Sequence, residues 1–195
     1  MYIVHPKNAA ALRGIDLPEK YWPANRDQEW VDHYRPVPEV LDFIDTVSDY
    51  LDPANLKCGG GLVLCGPGSS RNAGYLLSTL VKALGTGAEV RKNGFWLDWM
   101  TFVEDSRNMN YEETVFYSEQ VYRPRIMVFH AVPKEQTAYA WNLLTKFTSR
   151  RYGKGRPNIV TTPMEDVSDA KRVFMPHIGF DHEAFTFVAV GPSAG

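Results

Sequence analysis

The chain has 195 residues, of which 44% are hydrophobic and 23% charged, and its formal net charge is -2. That length and balance suit one domain with a sizeable core, and the charge does not advertise nucleic acid, so any basic surface must be local. No apolar run approaches the roughly 20 residues that span a membrane, no basic segment followed by an apolar one opens the chain, and two cysteines (Cys58 and Cys65) without His or Cys at ligand spacing make no zinc site; the expectation is a soluble protein of the cytoplasm.

Residues 1–38 are polar and punctuated by Pro6, Pro18, Pro23, Pro36 and Pro38, which reads as an irregular N-terminal arm. Val40, Leu41, Ile44 and Val47 then follow helical spacing from about Glu39 to Tyr50, and Asp52-Pro53 ends that helix. Leu62 to Cys65 is a short apolar strand, followed by Gly66-Pro67-Gly68-Ser69-Ser70 and a helix carrying Leu76, Leu77, Leu80, Val81 and Leu84. Gly85-Thr86-Gly87 is a stop signal. Ala88–Val90 and Phe95–Leu97 read as an interrupted second strand, and Trp99, Phe102 and Val103 as a short helix. Tyr111 to Tyr122 reads as a helix with acids at its start. Arg125 to Phe129 has the composition of a buried strand. A long helix is expected over Lys134–Tyr152, a strand over Asn158–Thr162, a short helix over Glu165–Val173 and a last strand over Phe185–Val190. Strands alternate with helices, which predicts an α/β fold: a largely parallel sheet of about five strands with helices on both faces, in a single domain over residues 39–190 with a tail at 191–195.

The strand, glycine-containing loop and helix from Gly61 to Leu77 have the layout of a phosphate-binding loop, whose motif is G-x-x-x-x-G-K-[ST]. Counted from Gly66, the second glycine position holds Arg71, the lysine position Asn72 and the hydroxyl position Ala73. The frame is present without its three functional residues. The loop amides from Gly66 to Ser70, with the helix N-terminus behind them, are a candidate anion site. Arg71 brings a cation beside the missing lysine, either to hold a phosphate or to point outward.

Several separated features resemble the AAA+ P-loop ATPases of the DnaC/DnaI helicase-loader type, which include the IstB-like transposon helpers. Leu17-Pro18-Glu19-Lys20-Tyr21-Trp22 looks like the family's entry segment, Gly61–Leu77 like its Walker A region, and Arg125–Phe129 like its Walker B strand. Trp141–Thr162, with Arg151-Tyr152 at its turn, looks like the family's helix and sensor-1 strand. The resemblance implies a P-loop three-layer sandwich, with Thr161 or Thr162 as the sensor-1 residue and Arg172 as the nearest candidate for an arginine finger. It also places the Walker B acids at His130 and Ala131, and neither is acidic. Glu135 and Asp98 are the acids available as substitutes, with Glu135 expected in the first turn of a helix.

The Walker lysine binds phosphate, and the loop hydroxyl and Walker B acid hold the magnesium that neutralises the transferring group. Their loss implies a pseudo-ATPase that binds no nucleotide, or ATP or ADP weakly without hydrolysis. What the resemblance implies is a catalytically inactive accessory protein of DNA replication, encoded by a phage or mobile element, whose partner is a replicative helicase or an intact loader subunit, in an oligomer or alone. The alternatives are a divergent ATPase and a decoy of a loader ring. Arg150, Arg151, Lys154 and Arg156 crowd the turn after the long helix and are candidates for single-stranded DNA or a protein partner. Lys92 with Trp96 and Trp99 is a second candidate surface for bases.

Overall fold

A computed structural model describes residues 13–21, 36–43, 61–84, 93–177 and 185–191. The cysteine at 58, the stop signal at 85–87, the first half of the interrupted strand, Lys92, most of the helix expected over 39–50 and the tail beyond 191 lie outside the described residues.

Five strands form one sheet: β1 (Gly61–Cys65), β2 (Gly94–Asp98), β3 (Ile126–His130), β4 (Asn158–Thr162) and β5 (Phe185–Ala189). Their order is β2-β3-β4-β1-β5 and every pairing is parallel. The helices connect them: α1 (Ser69–Leu84) after β1, α2 (Trp99–Ser106) and α3 (Tyr111–Tyr122) after β2, α4 (Ala138–Tyr152) after β3, and α5 (Val167–Phe174) after β4. None of these helices is long and apolar enough to cross a membrane.

Side chains alternate across a strand, so the apolar runs feed two cores. Leu62, Leu64, Ile126, Val128 and Ile159 meet Ala73, Leu76 and Leu77 of α1 on one face. Val63, Cys65, Met127, Phe129 and Val160 meet Trp99, Phe102, Leu144, Phe147 and Phe174 on the other. Each such side chain, fully buried, contributes about 1.5–3 kcal/mol. Burial pushes the Cys65 thiol up to about 11, which leaves it a small apolar core group. Trp96 and Trp99 are both buried, at 3% and 0% exposure, so the proposed base-stacking surface at Lys92 loses its aromatics to the core.

Local capping corrects several expected boundaries. Thr137 accepts from the Ala140 amide and starts α4 four residues later than apolar spacing suggested. Glu135 therefore precedes the helix instead of opening it. Asp166 caps α5, which runs from Val167 to Phe174. Part of the expected arm packs on the sheet: Ile15 and Leu17 are buried with Leu62 and Leu76, and the Ile15 carbonyl accepts from the Trp96 amide on β2 at 2.8 Å. An apolar stretch from the expected arm thus covers the rim of the sheet.

Arg151 is completely buried. Its Nε donates to Asn158 Oδ1 at 2.7 Å, Nη1 to the carbonyls of Val121 and Pro124 at 2.9 Å each, and Nη2 to those of Pro157 and Arg125 at 3.0 and 3.3 Å. These acceptors are the last turn of α3, the lead into β3 and the start of β4. The guanidinium therefore joins three segments to α4, with no carboxylate among its partners. Burial, with Arg156 nearby, pushes its pKa down to about 9, so it stays charged at neutral pH. The expectation that Arg151 contacts an external anion is corrected: it has no surface to offer. Replacing it with alanine strands five buried acceptors, so Arg151→Ala should lower the unfolding free energy in urea by on the order of 3–5 kcal/mol. Arg151→Lys, with three donors for five acceptors, should recover only part. An alanine variant with an unchanged unfolding midpoint would show the clamp to be energetically idle.

Candidate functional site

The carboxyl ends of the strands are in register: Cys65 lies opposite Thr162 and Asp98 opposite His130. A parallel sheet with helices on both faces collects its functional groups at this edge. Here it brings together the turn after β1, the N-terminus of α1, His130, Ala131, Thr161 and Thr162.

The turn is short. Gly66, Pro67 and Gly68 join β1 to α1, which already begins at Ser69. Gly66 has φ of 103°, a conformation that side chains rarely adopt, and a Cβ there would sit 2.7 Å from the Val190 carbonyl. At Gly68 a Cβ would collide with the Gly191 carbonyl. Both glycines are needed because the turn packs directly on the end of β5.

That packing occupies the amides on which an anion site depends. The Gly66 amide donates to the Thr162 carbonyl at 3.0 Å and the Gly68 amide to the Val190 carbonyl at 3.3 Å; Ser69 donates to Gly66 and Asn72 to Gly68, at 3.1 Å each. Pro67 has no N–H. Ser69 Oγ also donates to the Thr162 carbonyl, at 3.3 Å. The expected cradle from Gly66 to Ser70 is thus bonded largely to the protein itself, and this corrects the picture of an open anion loop.

Asn72, at the lysine position, lies one turn inside α1 and is buried. Its Nδ2 donates to the Gly68 carbonyl at 3.2 Å, and its Oδ1 accepts from the Val37 amide at 3.3 Å. It ties the turn to the segment over 36–43. Ala73 is a fully buried core residue, and Arg71 is exposed.

His130, where the family resemblance places an acid, bridges the two sides of the site. Its Nδ1 lies 3.3 Å from Ser70 Oγ and 3.2 Å from Thr161 Oγ1. Thr161 Oγ1 also accepts the Ala131 amide at 2.8 Å, and the Thr161 carbonyl accepts the Val132 amide at 2.8 Å. Those two bonds hold Ala131 at φ of 55°, which is uncommon for a residue with a side chain. Thr161 and Thr162 are both fully buried. Thr162 turns to the loop through its carbonyl and accepts the Met164 amide at its hydroxyl, at 3.4 Å. Nothing in the sequence alone signalled the Ser70–His130–Thr161 link, because its members stand 60 and 31 residues apart.

The acids do not assemble opposite the loop. Asp98 spends its carboxylate capping α2, accepting the Thr101 amide at 3.2 Å, and Glu135 is exposed ahead of α4. Among the described residues no group of three or more His, Cys, Asp or Glu is placed to hold a metal ion. Arg172, the arginine-finger candidate, pairs with Asp169 on its own helix, and Asp169 also takes Lys134 at 2.7 Å. The bonds from Lys134 and then Arg172 hold the Asp169 carboxyl below its usual range.

The basic turn divides by burial. Arg156 donates through Nη1 to the Tyr122 carbonyl at the end of α3, and Arg150 stacks its guanidinium 4.1 Å from the centre of the Tyr122 ring. Arg151, Arg156 and Arg150 thus converge on one helix C-terminus, whose carbonyls attract cations. Arg150 and Lys154 alone of the four keep exposed side chains.

Burial lowers the His130 pKa below its ordinary value, against the pull of Asp98 and with a further push from Lys20. A histidine so shifted favours folding above about pH 6.5 and loses that contribution as pH falls through the folded-state pKa. Protonation also places a hydrogen on both ring nitrogens, so that Nδ1 can then only donate toward the Ser70 and Thr161 hydroxyls. Between about pH 7.5 and about pH 5, the native protein should therefore lose more unfolding free energy than His130→Gln. Parallel pH profiles for the two proteins would remove His130 from the titrating link.

No protein-family model matches the chain, and no curated protein sequence does. Solved structures do. The crystal structure of the DnaC helicase loader has a TM-score of 0.57 at 18% identity, over 89% of this chain and 99% of that one. The crystal structure of DnaI has a TM-score of 0.53 at 13% identity, over 89% of this chain and 81% of that one. Domain III of the Thermotoga maritima replication initiation protein DnaA has a TM-score of 0.50 at 10% identity, over 84% and 59% of the two chains. At these identities the likeness is one of fold: the chain has the five-stranded parallel α/β architecture of AAA+ P-loop proteins.

Proposed function

We propose that the chain is a catalytically inactive relative of the helicase loaders, acting in DNA replication by binding a protein partner, either a replicative helicase or an intact loader subunit. One observation carries this. The positions that serve nucleotide chemistry in an active P-loop protein are taken up here by internal hydrogen bonds, with Asn72 holding Gly68 and Val37, and His130 holding Ser70 and Thr161. Such a scaffold keeps its shape without phosphate or magnesium, and a partner supplies any ATPase activity. A phage or mobile element is the setting we favour.

Phosphate release from ATP with magnesium should stay at background, with or without single-stranded DNA. Asn72→Lys alone should not create activity, since magnesium would still lack protein ligands; it should instead destabilise the protein by burying a charge where Val37 and Gly68 now find a partner. Steady turnover that co-purifies with the folded native chain through two columns would overturn the proposal.

Contact with single-stranded DNA is a second activity we assign to the exposed part of the basic turn, Arg150 and Lys154. Replacing both with alanine should weaken binding across sequences and flatten the salt slope by about one to two units. An unchanged slope would leave these cations as helix-end charges.

A further inference from the structure

The chain invests more in α3 than α3 returns to the core. Only Val121 and Tyr122 of this helix are buried. Its first seven residues are all exposed, with Tyr111 at 82%, Phe116 at 57% and Val115 at 43%. Yet both ends are pinned. At the N-terminus, Asn110 and Glu113 form a reciprocal capping box, each bond 2.9 Å. At the C-terminus, the buried Arg151 takes the Val121 and Pro124 carbonyls and Arg156 takes that of Tyr122.

The exposed aromatic side is backed as well. Phe116 meets Tyr117 edge-on at 5.7 Å, Tyr117 lies 6.3 Å from Phe102, and Phe102 lies 5.6 Å from Phe147 in the core. A file of rings thus runs from solvent to the interior. Residues three and four apart share a helix face, so Val115 and Phe116 lie between Glu112 one turn before and Glu119 one turn after. Glu112 has no partner among the described residues. Glu119 pairs with Arg123 at 2.7 Å, and Glu113 stands beside Glu112 in the first turn.

We propose that this face of α3 is a preformed docking surface for a basic amphipathic helix of a partner protein, with apolar anchors on Val115 and Phe116 and Lys or Arg opposite Glu112 and Glu113. Charge complementarity selects that occupant. The carboxylates of Glu112, which is unpaired among the described residues, and of Glu113, which is engaged only by the Asn110 amide, repel a phosphate backbone, which argues against bases stacking on Phe116, and they attract cationic side chains. A helix already fixed at both ends loses little freedom on binding. We draw this from α3 alone, without the helicase assignment, so a failure of either leaves the other to its own test.

The probe is a synthetic amphipathic peptide of about 18 residues, long enough to form a helix, with Leu along one face and Lys on its flanks. Its counterpart carries Glu in place of every Lys. Labelled peptides are titrated with the full chain at low salt. The Lys peptide should bind at least about tenfold tighter than the Glu peptide, and Phe116→Ser and Glu112→Lys should each weaken it about tenfold. Both positions are exposed, so the variants should keep the parent's unfolding midpoint. Equal binding of the two peptides, or unchanged binding by Phe116→Ser, would overturn the proposal. So would loss in Phe116→Ser of self-association or of single-stranded DNA binding, which would assign the face to a second copy or to nucleic acid.

Discussion

A charged guanidinium with no carboxylate partner sits at the junction of four segments, and the arrangement of one end of the domain follows from it. Taking an ion out of water costs several kcal/mol unless its donors are satisfied. Arg151 meets that condition with five oxygens, four of them backbone carbonyls. Carbonyls at the C-terminus of α3 carry partial negative charge and stand in for an acid. The same oxygens would be unsatisfied without the arginine, so the ion and the chain ends need one another. Asn158 extends the junction by donating back to the Thr148 carbonyl of α4. The crossings from α3 into β3 and from α4 into β4 are fixed together.

At the opposite edge of the sheet, the turn after β1 is held by bonds within the protein. The fold draws on the apolar strands, the two glycines that let the turn approach β5, and the polar links across the strand ends. The chemistry of an active P-loop protein draws on a lysine, a hydroxyl and acids placed around open amides. In this chain Asn72 and Ala73 of α1, with His130 and Ala131 at the end of β3, stand beside the first set. These residues add structure of their own: Asn72 fastens the turn to the segment over 36–43, and His130 fastens α1 to β4 through Ser70 and Thr161. A buried polar group must find partners within the protein, and these residues find them in one another.

The regular elements were legible from local patterns because their causes are local. The strands Asn158–Thr162 and Phe185–Ala189 and the helix Tyr111–Tyr122 announce themselves through apolar runs, acids at a helix start and flanking breakers. Their alternation is enough for a parallel α/β sheet, because each strand must return to the same edge through a helix.

Burial and long-range partners were decided by the tertiary structure alone. In sequence, Arg150, Arg151, Lys154 and Arg156 form one basic cluster; in space Arg151 is fully buried, with acceptors up to 30 residues away. Ile15 and Leu17 look like part of a polar arm until the rim of β2 supplies their neighbours. The loop amides look open until the end of β5 arrives to accept from Gly68. Helical or strand period says which face a residue lies on, but the free energy of a charged or polar group depends on which oxygens and nitrogens other segments bring to it. That is settled only when segments far apart in the chain are packed together.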